Sequence, residues 1–153
     1  MVFPEKLKAG DTIGLAAPAF PVSKEKRDAG AALLERMGYH VAMGRCLKEL
    51  YNFHGYLAGD AKERAMDLNR MFADPEIKAI FCARGGYGSA HIMKYLDYEL
   101  IRKNPKIFVG YSDLTNLHSA LNQICGLVTF HGPMVESNMP VSYTHLRAHE
   151  TRH

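Results

Sequence analysis

Gly110-Tyr111-Ser112-Asp113 stands directly behind the apolar run Ile107-Phe108-Val109. A serine at the junction of a buried strand and the following helix lies on a sharp turn. Its hydroxyl is then carried out at the carboxyl edge of a sheet, beside the first backbone N–H groups of the new helix. Those groups can hold an oxyanion, so Ser112 has the placement of a nucleophile. The plainer alternative is a helix N-cap, a role that Asp113 can share, and the surrounding residues are not the full G-x-S-x-G elbow. A nucleophilic serine also needs a base. The in-chain candidates are His131, at the end of the next strand, and His118, whose side chain is expected to point away from the Ser112 turn. His131 has a path to the same crevice, although a histidine in a His-Gly-Pro turn also suits a structural hydrogen bond.

A second turn, Arg84-Gly85-Gly86-Tyr87-Gly88, follows the apolar run Ala79 to Ala83. If both strands belong to one parallel sheet, both turns open onto one crevice. Glycines ahead of a helix can cradle a phosphate on free backbone N–H groups, or let the main chain approach a substrate carbonyl and donate to its oxyanion. The pattern is neither G-x-G-x-x-G nor a Walker loop. A tight strand–helix connection accounts for the glycines but not for Arg84. That arginine can pair with a substrate carboxylate, or it can hold neighbouring loops together.

The elements that position these turns are legible by periodicity. Thr12 to Ala17 is a short apolar run that stops at Pro18. Ser23 caps a helix with Ala29, Ala32, Leu33 and Met37 on its apolar face, closed by Gly38. Tyr39 to Met43 reads as a strand. After a loop through Asn52 to Tyr56, Asp60 and Glu63 make a capping-box pattern for a helix carrying Ala61, Ala65, Leu68 and Phe72. Asp74-Pro75 ends it before the strand 79–83. Ser89 to Leu96 reads as a short amphipathic helix, and 107–111 as a strand. Leu114, Leu117, Leu121 and Ile124 give the next helix its apolar face up to Gly126, and Leu127 to Phe130 is a last strand. Strands that are near-continuous apolar runs, alternating with helices, predict an α/β fold: a Rossmann/flavodoxin-like parallel sheet with helices on both faces.

Composition narrows the function classes. The chain has 153 residues, 47% of them hydrophobic, and a net charge of +3 with no basic run, so one globular domain is expected and neither nucleic acid nor a membrane surface is an expected partner. The N-terminus has no apolar h-region, and Cys46, Cys82 and Cys125 show no C-x-x-C spacing, which predicts reduced thiols in a cytoplasmic protein, with Cys82 and Cys125 in the core. No cofactor is expected. The last stretch, 141–153, has no turn logic and no sustained apolar pattern. His145, His149 and His153 would share a helical face, but no ligand set accompanies them, so no metal site is expected. Its wording resembles translated sequencing-adapter read-through, and native sequence is expected to stop near Pro140.

Six segments, in order, resemble the N-terminal half of the LD-carboxypeptidases, the serine peptidases grouped with microcin C self-immunity proteins. They are Leu7 to Ile13, Ala17-Pro18-Ala19, Gly55 to Gly59, Arg84 to Gly88, Gly110 to Asp113 and His131-Gly132-Pro133. The resemblance covers about residues 5 to 140. It implies a cytoplasmic bacterial enzyme that removes the terminal D-alanine from murein tetrapeptides during peptidoglycan recycling, and it admits a homodimer of the intact parent. By the family's pattern Ser112 is the nucleophile. The backbone N–H of Asp113, with one from Gly85 or Gly86, forms the oxyanion hole, and Arg84 is the substrate-binding candidate. The family's base histidine and its orienting glutamate belong to a C-terminal domain beyond this chain. Residues 1–140 are therefore expected to be the nucleophile-bearing half of a peptidase, inert alone. Two other functions are compatible with these residues. One is a microcin-immunity-type amidase acting on peptidyl or aminoacyl adenylates. The other is a non-catalytic phosphate- or nucleotide-binding module built on the 84–88 turn.

Overall fold

The computed structural model describes residues 1–132 and 134. Among them, strands β1 (Thr12–Ala16), β2 (His40–Met43), β3 (Ile77–Cys82), β4 (Ile107–Gly110) and β5 (Phe130–His131) form one sheet. All its pairings are parallel, in the order β2-β1-β3-β4-β5. The connections carry helices α1 (Lys24–Arg36), α2 (Arg45–Lys48), α3 (Ala61–Ala73), α4 (Tyr98–Lys103) and α5 (Thr115–Cys125), with 3-10 segments at Ser89–Tyr95 and Ser112–Leu114. This is the doubly wound, flavodoxin-like order. Its direction reverses between β1 and β3, which places the ligand crevice outside the carboxyl ends of those strands. Pro133 and the whole stretch 141–153, with its three histidines, lie outside the described residues.

Alternation along the strands sends side chains to two cores. Ile13, Leu15 and Ala79 face Leu33, Leu34 and Leu47 on one side of the sheet. Ile80, Cys82 and Phe108 face Leu68, Phe72, Leu117 and Leu121 on the other. Each fully buried Leu, Ile or Phe contributes about 1.5–3 kcal/mol, so the two layers carry most of the stability. The helix ends are satisfied as their sequences predict. Ser23 Oγ accepts from Lys26 N–H and Asp60 Oδ1 from Glu63 N–H, while Gly38 and Gly126 take positive φ after α1 and α5. All three cysteines are free and buried, Cys46 included.

Several local expectations are corrected. The buried face of α1 is Gly30, Ala31, Leu33 and Leu34; of the expected Ala29, Ala32, Leu33 and Met37 it keeps Leu33, while Ala29 and Met37 are exposed and Ala32 is half-buried. The run 29–34 is apolar almost all round, and the two long leucines decide which side meets the sheet. In α5 the buried set is Leu117, Ala120, Leu121 and Cys125, which leaves Ile124 44% exposed. The segment Ser89–Tyr95 is 3-10 rather than α-helical. The last strand falls at Phe130–His131 instead of Leu127 to Phe130, because Leu127 pairs with Val2 in an isolated parallel bridge. Helices α2 and α4 lie where no helix was expected.

Gly110, the last residue of β4, is fixed by packing: a Cβ there would stand 2.6 Å from Leu114 Cδ1, and Leu114 is fully buried. Gly110→Ala is therefore expected to destabilise the chain by about 1–3 kcal/mol through overpacking, read as a lower urea midpoint at unchanged m-value.

Candidate active site

Ser112 follows β4 by two residues, is exposed, and has φ +62. A non-glycine residue in the left-handed region is strained by roughly 1–2 kcal/mol, and such strain collects where the surroundings over-determine a functional geometry. Here the surroundings are explicit. Leu114, two residues on, drives into the core over Gly110 and pulls the chain round. Thr115 N–H donates to Ser112 O, and α5 follows immediately. The result is a serine held out on a sharp strand-to-helix turn, the expected geometry for a nucleophile.

The glycine turn lies against it. A Cβ on Gly85 would stand 3.3 Å from Ser112 Cβ, 3.4 Å from Tyr111 O and 3.5 Å from Asp113 N. Any side chain at 85 would occupy the space over the serine. Gly86, at φ +112, backs onto the Phe20 ring, which a Cβ would meet at 2.5 Å. Phe20 N–H in turn donates to Gly85 O. The structure thus brings Ser112, Asp113 and Gly85 together at the carboxyl edge, with Gly86 behind them. A rim of rings borders the same turn: Phe20 with Tyr56, Tyr56 with Tyr87, and Tyr87 with His91, at centroid separations of 6.3, 6.3 and 5.4 Å.

Arg84 is partly buried. Its Nη1 donates to Pro21 O at 3.2 Å, and its guanidinium carbon lies 5.2 Å from the Phe20 ring centroid. Both contacts tie the glycine turn to the β1–α1 loop. His118 lies beneath the serine turn rather than away from it: Nε2 lies 2.9 Å from Gly110 O and Nδ1 2.7 Å from Thr129 Oγ1, so both ring nitrogens are engaged. A carbonyl can only accept, which places the proton on Nε2 and leaves Nδ1 to accept from Thr129 in the neutral ring. His131 is exposed on β5, in register with Gly110, with its ring 5.5 Å from that of Tyr111. Among the described residues neither histidine is hydrogen-bonded to Ser112. No group of three or more His, Cys, Asp or Glu among them is placed to hold a metal ion, and none of their helices is long and apolar enough to cross a membrane.

Four polar residues at this edge were not singled out by sequence reasoning: Arg64, Asp67, Ser89 and Asn116. Arg64 and Asp67 are buried on α3, where a charge lying on an apolar stripe was the available signal. Ser89 and Asn116 carried none, since each resembles an ordinary helix-end residue. Concavities of 360 and 630 Å³ lie elsewhere among the described residues. One is lined by α2 and α3, the other by Lys6, Lys8, Lys78 and Lys106 at the amino edge of the sheet, and neither includes Ser112.

The sequence matches the LD-carboxypeptidase N-terminal domain over residues 13–132. It is 49% identical over 142 residues to a probable murein peptide carboxypeptidase of Bacillus subtilis (strain 168), covering 93% of this chain and 44% of that protein. It is 38% identical over 130 residues to the microcin C7 self-immunity protein MccF of Escherichia coli, covering 83% and 37%. Among solved structures, the MccF-like protein from Bacillus anthracis superposes with a TM-score of 0.82 at 39% identity, over 90% of this chain and 42% of that one. The chain spans less than half the length of the relatives it matches.

Backbone strain at Ser112 makes a prediction independent of any reaction. Ser112→Gly is expected to stabilise the chain relative to Ser112→Ala by about 1 kcal/mol, because glycine relieves the left-handed conformation and alanine does not. Paired urea melts check this, and equal midpoints would show the turn to be unstrained in solution.

Proposed function

The chain belongs to the LD-carboxypeptidase family, and from that footing we propose that it is the nucleophile-bearing N-terminal domain of a serine peptidase that releases the terminal D-alanine from murein tetrapeptides in the cytoplasm, in peptidoglycan recycling. The observation that carries this reading is the left-handed Ser112 on its strand-to-helix turn, faced by Gly85. A phosphate-binding module on the glycine turn would have no use for a strained serine on the neighbouring turn.

In the proposed reaction, Ser112 Oγ attacks the carbonyl carbon of the scissile amide and gives its proton to a base. The carbonyl oxygen becomes an oxyanion held by Asp113 N–H and a glycine N–H from Gly85 or Gly86. Collapse returns the proton to the leaving amine of D-alanine and leaves an acyl-serine, which water hydrolyses by the same route. Residues 1–140 supply the nucleophile and the donors. The base and its orienting carboxylate come from the family's second domain. Arg84 is proposed to pair with a carboxylate of the peptide while keeping its bond to Pro21 O.

A second reading has its own support in the 38% identity to the microcin C7 self-immunity protein. In it the same serine and donors cleave the amide of a peptidyl or aminoacyl adenylate. Serine chemistry is shared, so the leaving group distinguishes the two.

The chain alone is expected to release no D-alanine from a murein tetrapeptide. Adding the separately expressed C-terminal half of the Bacillus subtilis relative is expected to restore release, and Ser112→Ala to lower kcat by about 10³-fold or more. Turnover by the chain alone that disappears in His131→Ala would instead establish a self-sufficient Ser112–His131 pair. Preference for an aminoacyl adenylate in the same assay would move the assignment to the amidase.

Arg84→Lys in that reconstituted enzyme is expected to raise KM several-fold with little change in melting temperature, since lysine keeps the charge but loses the two-pronged grip. A large melting shift at unchanged KM would make Arg84 a purely structural tie.

A further inference from the structure

Arg64, in the first turn of α3, is the largest of the fully buried side chains among the described residues and is 1% exposed. Burial depresses its pKa, with Asp60 and Asp113 among the groups acting in the opposite direction. An aliphatic residue of similar volume would fill the same space without that penalty. What an aliphatic residue cannot do is bind carbonyls. Arg64 Nε donates to Gly59 O at 2.9 Å, and Nη1 donates to Pro18 O at 2.7 Å and to Gly88 O at 2.9 Å. These carbonyls come from three separate segments: the loop after β1, the loop before α3, and the glycine turn after β3.

The third bond continues further. Gly88 O belongs to the same peptide group as Ser89 N–H, and that N–H donates to Asp113 Oδ2 at 2.9 Å. Ser89 Oγ donates to Asp113 O at 2.6 Å, and Asn116 Nδ2 reaches the same oxygen at 3.0 Å. One peptide group therefore lies between a buried cation on its oxygen and a carboxylate on its N–H. Each bond polarises the group in the sense that strengthens the other. Gly88 makes this approach possible: at φ +99, a Cβ would stand 2.6 Å from Leu57 Cδ2 and 3.1 Å from Arg64 Nη1.

We propose that Arg64 and Asp113, acting from opposite ends of the Gly88–Ser89 peptide group, lock the glycine turn to the serine turn, and that Arg64 is thereby a positioning residue for the Ser112 site. Gly85 and Ser112 stand on the two turns so joined, within van der Waals reach of one another. An oxyanion needs its donors at 2.7–3.1 Å, so a shift of one turn against the other by a fraction of an ångström separates them from the developing charge. The catalytic part of this proposal rests on the peptidase reading above; the mechanical coupling of the two turns does not.

The test reads both parts separately. Amide hydrogen exchange is followed in the full 153-residue chain for the wild type, Arg64→Lys and Ser89→Ala. Lysine keeps the charge but cannot reach three carbonyls from one rigid fork. Arg64→Lys is expected to speed exchange at least tenfold in both 84–90 and 110–116, leaving α1 unchanged. Exchange in 110–116 within twofold of wild type would overturn the coupling. Should Arg64→Lys fail to fold, Ser89→Ala decides alone. It is expected to speed exchange in 110–116 at least threefold while 17–20 and 57–60 hold, and an unchanged 110–116 overturns the proposal. In the reconstituted enzyme Ser89→Ala is expected to lower kcat at least fivefold with KM within twofold. Faster exchange with unchanged kcat would refute the positioning role. Absence of turnover in the wild-type reconstitution counts against the peptidase reading and leaves exchange to decide the coupling.

Discussion

Two turns that end neighbouring strands can meet only if one of them has no side chain at the point of contact. Gly85 provides that condition opposite Ser112, where a methyl group would stand 3.3 Å from the serine Cβ, closer than an ordinary contact. The parallel sheet sets β3 beside β4 with Ile80 opposite Phe108, and so fixes how far apart the two turns start. Everything else at the edge is arranged around this approach. Phe20 occupies the space that a side chain on Gly86 would need. Leu57 and Arg64 do the same at Gly88, and Leu114 does so at Gly110. The glycines are the places where one loop gives room to another.

Such close contact leaves the backbone polar groups of four loops to be satisfied away from bulk water, and side chains do most of that work. Arg64 serves three carbonyls, Arg84 serves Pro21 O, and His118 serves Gly110 O. Lys106 does the equivalent at the opposite edge of the sheet, where its buried ammonium donates to Met71 O and Asp74 O at the end of α3. Cations on carbonyls thus replace direct ion pairs at these junctions. A planar guanidinium or imidazole holds direction, which suits a region where the strained φ of Ser112 must be kept from relaxing.

The parts of this arrangement that depend on chain-local physics were legible in the sequence. Apolar runs closed by turn residues gave four of the strands to within one or two residues, and the serine and glycine turns fell where a parallel sheet would put them. The parts that depend on tertiary choice were not. The face of α1 was ambiguous because its residues are apolar on several sides, and only contact with the sheet selects Leu33 and Leu34. The fifth strand slipped because Leu127 found Val2, more than a hundred positions earlier in the chain. Arg64 carried one signal, a charge lying on the apolar stripe of α3, but its role is set by three loops from distant parts of the chain that close over it. For the proposed reaction, the sequence offers a candidate nucleophile and candidate donors, while the family resemblance assigns the base to a second domain.

The burial of all three cysteines has a chemical consequence for this serine. Burial raises the thiols of Cys46, Cys82 and Cys125 above their ordinary range, so almost none is thiolate at neutral pH. The three side chains that would usually win any competition for an electrophile are therefore both shielded and protonated. Among the described residues, Ser112 is exposed beside the backbone N–H groups proposed as oxyanion donors. Acylating and phosphonylating reagents thus meet a chain in which thiol background is suppressed by the core itself, and its hydroxyl chemistry can be followed on the unmodified sequence.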